Sequence, residues 1–373
     1  MKKIAILTFV NTVNYGAILQ ATALQYFLSK KNFEVNNLNY CVEHQGLENR
    51  PLYKLILTKT WNIIKLFLGY KRRLKKTNKF IKSNLNLTER IINPDDLLKY
   101  NNLYDCFIVG SDQVWNPKII GKDMSYFLSF ASDRKMKISY AASFGLNSLP
   151  LDYFNNIYDP LKNFSSISVR EKQGQNILNT MGIKSEVVLD PTLLLSEDDW
   201  RYFYSEDRLI KEKYILCYFM PGNKVLEKKI TEISDYLSKQ TGYKIINIGK
   251  KEYSVLNIKR TNRVTDGPKE FLNLIVNSEY VLTNSFHGLA FSLNFNKKVY
   301  PFVERNFSED ISLSSRLISI LELTGCKNRI IYSDSTYQDF LNIKDIDFSK
   351  VNSILELNRS ISSKFICDSL KGL

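Results

Sequence analysis

The sequence predicts two doubly wound α/β domains, one after the other, facing each other across a cleft. A chain of 373 residues is longer than one hydrophobic core usually serves, which favours two domains. Short apolar runs alternate with helix-like stretches in two successive series, the pattern of parallel sheets covered on both faces. Between the series, Ser196 to Lys213 is polar, with Glu197, Asp198, Asp199, Glu206 and Asp207, and reads as the crossing between domains. The division is therefore 1–205, 206–350, and a helical stretch 351–373 that is available to pack back on the first domain.

In the first series Lys3–Phe9 is a strand, Ala17–Lys30 an amphipathic helix and Glu34–Tyr40 a second strand. Tyr104–Val109, Ile138–Ala141, Ile167–Val169 and Glu186–Leu189 read as further strands, with Glu171–Met181 as a helix. The second series opens with strand Tyr214–Met220, breaks at Pro221-Gly222, and continues with a helix through Leu237 and strand Lys244–Ile248. Asp266-Gly267-Pro268 starts a helix to about Asn277, with Pro268 suited to its first turn. Strands Tyr280–Thr283 and Val299–Val303 and C-terminal helices complete it.

Composition narrows the function. Hydrophobic residues make up 44% and aromatic residues 13%, enough for a real core. Cys41, Cys106, Cys217, Cys326 and Cys367 are scattered without paired spacing, which suggests reduced thiols in a cytosolic protein. With two histidines and no paired cysteines, no zinc or other metal site is expected. The start, Met1-Lys2-Lys3 then Ile4–Leu7, mimics a signal peptide, but the short run followed by Asn11, Thr12 and Asn14 fits a buried first strand better. No glycine-rich dinucleotide fingerprint follows that strand and no P-loop occurs, so a dinucleotide cofactor and NTP hydrolysis are disfavoured.

Facing doubly wound domains place their functional loops at the carboxyl ends of the strands. The first domain offers Asn14-Tyr15-Gly16, Gly110-Ser111-Asp112-Gln113 and Arg170 there, and the second offers Asn284, Ser285 and His287. His287 stands out. It falls where an apolar strand breaks into an apolar helix through small and polar residues, a point that suits an anion and a proton transfer. A structural histidine would fit the same pattern. Likewise Asp112 could be an N-cap or turn residue, Arg170 a partner of Glu171, and Asp190, before Pro191, a turn residue.

Seven short pieces occur in order: Asn14-Tyr15-Gly16-Ala17, Gly110-Ser111-Asp112-Gln113-Val114-Trp115-Asn116, Ala142-Ser143-Phe144-Gly145, Ser168-Val169-Arg170-Glu171, Leu189-Asp190-Pro191-Thr192, Gly267-Pro268-Lys269-Glu270-Phe271 and Thr283-Asn284-Ser285-Phe286-His287-Gly288. Together they resemble the polysaccharide pyruvyl transferase family across almost the whole chain. The resemblance implies a GT-B-like pair of Rossmann-like domains. It also implies transfer of pyruvate from phosphoenolpyruvate to a sugar, as a cyclic ketal, with no cofactor. It makes His287 and Asp112 the catalytic pair, His287 assisting phosphate departure and Asp112 acting as base for the attacking hydroxyl. Arg170 becomes a clamp for the donor, Ser285, Asn284, Asn14 and Gly16 further donor contacts, and Gln113 and Ser111 acceptor-side residues. Many members carry Ser-x-Arg-Leu-His where this chain has Thr283-Asn284-Ser285-Phe286-His287, so an arginine expected to bind the donor's phosphate or carboxylate is missing.

The net charge of +14 is uneven: residues 51–82 hold ten Lys/Arg and no Asp or Glu. A nucleic-acid surface is not implied, because the rest is only mildly basic and no recognition motif accompanies it. Leu52, Leu55, Ile56, Trp61, Ile63, Ile64, Leu66, Phe67 and Tyr70 recur at largely helical spacing within the segment. Such a basic helical insertion can lie on an anionic membrane, which fits a lipid-linked acceptor at the inner face of the cell membrane. A helical pair packed on the first domain fits it as well. Two other functions stay open: a nucleotide-sugar-dependent glycosyltransferase of the same architecture, and a non-catalytic membrane-surface or partner-binding relative.

Overall fold

The computed structural model describes residues 1–41, 60–220, 223–249, 262–263, 267–304 and 312–373. Pro221, Gly222, Asp266 and residues 51–59 of the basic segment lie outside these. The first half contains β1 (Lys3–Leu7), α1 (Tyr15–Ser29), β2 (Glu34–Asn37), α2 (Thr60–Asn84), β3 (Cys106–Val109) and α3 (Pro117–Ile120). β4 (Met136–Ala142), α4 (Leu151–Lys162), β5 (Ser166–Val169), α5 (Lys172–Thr180), β6 (Glu186–Val187), α6 (Pro191–Leu194) and α7 (Glu197–Arg201) follow. The second half has β7 (Tyr214–Phe219), α8 (Lys224–Thr241), β8 (Lys244–Gly249), β9 (Asn262–Arg263), α9 (Pro268–Val276), β10 (Tyr280–Thr283) and α10 (Phe286–Asn294). It ends with β11 (Lys298–Val303), α11 (Ser312–Leu323), β12 (Ile331–Tyr332), α12 (Tyr337–Leu341) and α13 (Phe348–Ser369).

Each half builds one sheet of parallel strands, ordered β2-β1-β3-β4-β5-β6 and β12-β11-β10-β7-β8-β9. These are the two doubly wound domains of a GT-B-like fold. In a parallel sheet the direction of winding reverses at one pair of neighbouring strands, and a crevice opens beyond their carboxyl ends. Here those pairs are β1/β3 in the first sheet and β7/β10 in the second. The loops that follow them carry Asn14, Asp112, Met220 and Asn284.

Aromatic residues join the halves. Tyr15, at the start of α1, stacks on Phe271 of α9 at 5.0 Å between ring centroids and approaches Tyr218 of β7 at 6.1 Å. The polar stretch expected to be a plain crossing contains α7, closed by a capping box between Ser196 and Asp199. Its Trp200 is fully buried, 4.9 Å from Phe291 of α10. Burying a side chain of this size stabilises by roughly 1.5–3 kcal/mol, so the crossing is a packed strap. Further along, Asn273 of α9 donates to the carbonyls of Ser205 and Asp207.

Two helices span the seam. In α2, Arg73, Thr77, Phe80 and Ile81 are buried at helical spacing, and Phe80 and Ile81 share a cluster with Phe271 and Leu272 of the second half. Arg73 also donates to the Val13 carbonyl, and Lys76 pairs with Glu270 at 2.9 Å. The end of α2 thus packs between the domains, not on the first alone, through Phe80 and Ile81 against α9. The apolar positions from Leu52 to Phe67 lie outside the residues whose side chains are described. Meanwhile α13 returns to the first half: Ser362 accepts the Leu189 N–H, and Ile366 joins Ile4, Ile6 and Ile138. Among the described residues no helix is long and apolar enough to cross a membrane.

Candidate active site

The crevices of the two sheets meet at one cleft of about 250 Å³, lined by Asn14, Asp112, Gln113, Asn284, Ser285, Phe286, His287 and Arg316 among others. Two helices start there. Asn14 caps α1 by accepting the Gly16 N–H, and Ser285 caps α10 by accepting the Gly288 N–H. Both helices therefore direct the positive ends of their dipoles into the cleft, an arrangement suited to an anion.

His287 occupies the first turn of α10 and is buried. Its ring lies so close to Gly16 that a Cβ placed on the glycine would fall 1.9 Å from His287 Nδ1. Gly16 is thus required neither by a turn nor by a special backbone angle. It leaves the volume in which the imidazole of the other domain packs.

Behind His287 is a cluster of buried charges. Asp190 Oδ2 accepts from Ser111 Oγ at 2.7 Å and from Arg170 Nη1 at 3.1 Å, and lies 3.8 Å from His287 Nε2. Its other oxygen accepts from the Thr192 N–H and hydroxyl, capping α6. Arg170 is enclosed further by Glu171 at 3.6 Å and Asp112 at 3.8 Å, with its guanidinium 4.5 Å from the Phe286 ring centre. Glu171 is held in turn by the Ser143 hydroxyl, 2.6 Å away. Among the described residues His287 Nε2, Arg170 Nε and Nη2, and Glu171 Oε2 have no hydrogen-bond partner. Buried polar atoms in native proteins are nearly always satisfied, so such a cluster marks a place for water or ligand groups.

Burial dominates the electrostatics, and the neighbours decide the outcome. It is the main force holding the His287 imidazole below its usual range; Asp190 and Asp112 oppose it, while Arg170 and Arg316 add to it. The ring is neutral near pH 7. Burial also works against the charge on Asp190, but His287, Arg170, Thr192 and Ser111 outweigh it and keep the carboxyl below its usual range. For Arg170 the three carboxylates overcome burial and raise its proton affinity. For Arg316 the same three carboxylates are outweighed: burial, then the Arg170 charge, push it down to about 10.

The sequence-derived candidates converge, with differences in detail. Asp112 faces the cleft at a positive φ of 78°, accepting the Gln113 N–H, so it is not a helix cap. Backbone in this region is uncommon outside glycine and tends to mark functional sites. Gln113 lines the cleft and is fixed by Asn116 at 2.8 Å; Gly145, at φ 61°, gives its amide room. Ser111 is fully buried and committed to Asp190, away from the cleft surface expected of an acceptor contact. Asn284 spends both ends of its amide on the Met220 backbone, pinning β10 to β7 where the sheet reverses. Arg170, the expected clamp, already lies among three carboxylates.

Three residues of the cluster escaped sequence reasoning. Asp190 does cap a turn as expected, but its second oxygen organises the cluster. Glu171 was set aside as a partner of Arg170. Arg316, from α11, carried no local signal at all. For Glu171 and Asp190 the available hints were Ser168-Val169-Arg170-Glu171 and Leu189-Asp190-Pro191-Thr192, both within the ordered series of motifs.

The architecture and site define a two-domain GT-B-like protein with a cleft between its domains at which two helices begin. The polysaccharide pyruvyl transferase profile matches residues 14–306, and the chain belongs to that family. No curated protein sequence matches significantly. Similar solved structures include MnaA from S. aureus with UDP, at 13% identity and TM-score 0.55, covering 100% of this chain and 96% of that one. The UDP-N-acetylglucosamine 2-epimerase from Rickettsia bellii has 11% identity and TM-score 0.53, with 99% and 96% covered. The UDP-GlcNAc 2-epimerase from Methanocaldococcus jannaschii, with UDP-GlcNAc and UDP, has 15% identity and TM-score 0.52, with 99% of each chain covered. At these identities the likeness concerns the fold.

Proposed function

We propose that this protein transfers pyruvate from phosphoenolpyruvate to a saccharide of a surface polysaccharide or its lipid-linked precursor, forming a ketal. The observation that carries this reading is the junction of His287 with the start of α1, beside Asp112 and the Arg170–Asp190 pair, in a chain of the pyruvyl transferase family. The donor is an anion that must receive a proton and release phosphate, and this cleft joins two helix starts to a histidine that can change charge.

In the reaction a proton adds to the donor's methylene carbon, and one sugar hydroxyl bonds to C2 as it loses its proton. Phosphate then leaves C2 with the electrons of the broken C–O bond, and a second hydroxyl replaces it, losing its own proton. Of the two protons released, one balances that taken up by carbon and the other leaves with phosphate or solvent. Asp112, on the cleft surface, is the base for an attacking hydroxyl, and Gln113 lies beside it on the acceptor side. His287 takes a proton when the donor's negative charge arrives and supports departure of phosphate. Asn14, Gly16, Asn284 and Ser285 shape the helix starts that face the anion, and Arg170 holds Asp112 and Asp190 in place. The donor brings its own activated group, so no cofactor is invoked. The remaining exposed basic face of α2 is available for an anionic membrane surface at which a lipid-linked acceptor is met.

The test is phosphate release from phosphoenolpyruvate with a panel of sugars, together with thermal stabilisation by candidate ligands. Phosphoenolpyruvate should stabilise the protein and nucleotide sugars should not. The reverse would favour nucleotide-sugar transfer, a reading supported only by the fold shared with UDP-binding structures.

A further inference from the structure

The charged cluster contains two arginines, of which one lines the His287 cleft and the other does not. Arg170 has three carboxylates about it and the Phe286 ring against it, and its side chain is only 1% exposed. Turning it toward a ligand would break its bond to Asp190 and strand three buried acids, which is costly. Nor does it line the His287 cleft. Among the described residues, Arg316 is the one lysine or arginine in that lining.

Arg316 also borders a second cavity of about 190 Å³, which it shares with Phe286, Arg170, Leu193 and Asn358. It therefore lines both spaces, as Phe286 does. The nearby charge of Arg170 works against its own, while Asp112, Glu171 and Asp190 favour it, and an anion bound to Arg316 in the cleft would offset that repulsion.

The formal charges point the same way. Among the described residues, Asp112, Glu171 and Asp190 against Arg170 and Arg316, with His287 neutral, leave one net negative charge. Without Arg316 the cluster would carry two, and would repel a phosphate. With Arg316 in place, uptake of one proton by His287 makes it neutral.

We propose that Arg316 is the anion-binding arginine of this cleft: it receives the donor's phosphate from α11, while Arg170 serves as a fixed cation that positions the carboxylates. This rests on the reading of the cleft as the site of a phosphorylated donor. The planar fork of arginine suits two phosphate oxygens at once, which lysine cannot match.

The experiment measures binding of phosphoenolpyruvate and of inorganic phosphate by calorimetry to the full chain and to Arg316→Gln and Arg316→Lys, with folding checked by circular dichroism. The full chain should bind both ligands in competition. Affinity for each should fall about 100-fold in Arg316→Gln and about tenfold in Arg316→Lys. A folded Gln variant that binds both within about twofold of the parent overturns the proposal and leaves the pyruvyl transfer reading standing. If the Gln variant does not fold, the Lys variant decides, and unchanged affinity overturns the proposal. Binding of phosphate but not phosphoenolpyruvate by the parent, lost in the Gln variant, supports Arg316 and removes the phosphoenolpyruvate reading. Binding of neither ligand by the parent overturns both.

Discussion

On the first domain's side, the cleft is backed by Asp112, Arg170, Glu171 and Asp190, opposite charges that hold one another through distances of 3.1 to 3.8 Å. The second domain presents the start of α10, with Ser285 as its cap, Phe286 against Arg170, and a buried imidazole. The second wall lies where the winding of its sheet reverses, after β10. Of the first wall only Asp112 does, after β3, while Arg170 and Glu171 follow β5 and Asp190 follows β6. They differ in how charge is handled. The first wall holds one arginine among three carboxylates, whereas the second brings Arg316 from α11 and a buried imidazole whose charge, under the proposed function, changes when the donor enters. The difference suggests a division of labour in which one domain holds a constant field and the other moves the proton.

The largest expected effect comes from the variable wall. His287→Ala should reduce pyruvyl transfer by about 10³-fold, within the range of lost general acid–base catalysis, while circular dichroism and melting temperature stay close to the parent. Near-normal turnover would remove His287 from the mechanism. The fixed wall should respond in stability. Asp190→Asn removes one partner of a buried ion pair, which typically costs about 3–5 kcal/mol. Urea unfolding would measure it, and a change below about 1 kcal/mol would mean that Arg170 is compensated without Asp190.

Gly16→Ala tests where the walls meet. The new methyl group would overlap the imidazole, so a loss of about 1–3 kcal/mol is expected for overpacking. The loss should shrink sharply in a His287→Ala background, which a double-mutant cycle reads directly. Equal costs in both backgrounds would mean that the contact does not explain the glycine. Smaller again, Asn14→Ala and Ser285→Ala should each cost about 1 kcal/mol as lost helix caps. Unfolding measurements on the pair would show whether the two helix starts are equivalent in stability although their walls differ in charge.

The pH dependence follows from the lowered proton affinity of His287. As pH falls below about 6.5, the unfolded chain takes up a proton before the folded one does, so this residue's contribution is complete above that pH and declines below it. Asp190, with its carboxyl held below the usual range, keeps its contribution to lower pH, losing it as pH falls through its own folded-state value. Stability of the empty protein against pH should therefore lose one step near neutrality in His287→Ala and retain the acid step.

Much of this was legible in sequence because it is local. The break from Leu282 through Asn284 and Ser285 into Leu289 gave a strand, a cap and a helix by elementary patterning, and so placed His287 correctly. The alternation of apolar runs gave both sheets. Contacts between distant segments left no such trace. Gly16 looks like a turn glycine because the ring it accommodates is 271 positions away (287 − 16). Asp190 looked like a turn residue because one of its oxygens is one, and nothing local reports the other. The apolar spacing read in the basic segment ran from Leu52 to Tyr70, whereas the side chains that bury the end of α2 between the two domains are Arg73, Thr77, Phe80 and Ile81. Arg316 lies on a helix whose sequence is ordinary, and becomes notable only through the cavity that it reaches.

The central claim is that a fixed cluster on one wall makes His287 take up a proton when an anionic donor binds. Calorimetry of phosphoenolpyruvate binding near pH 7, in buffers of different ionisation enthalpy, counts that proton directly. The account predicts uptake approaching about one proton per donor bound in the parent, and close to none in His287→Ala. Binding without proton uptake, or uptake that persists when the imidazole is gone, would contradict it.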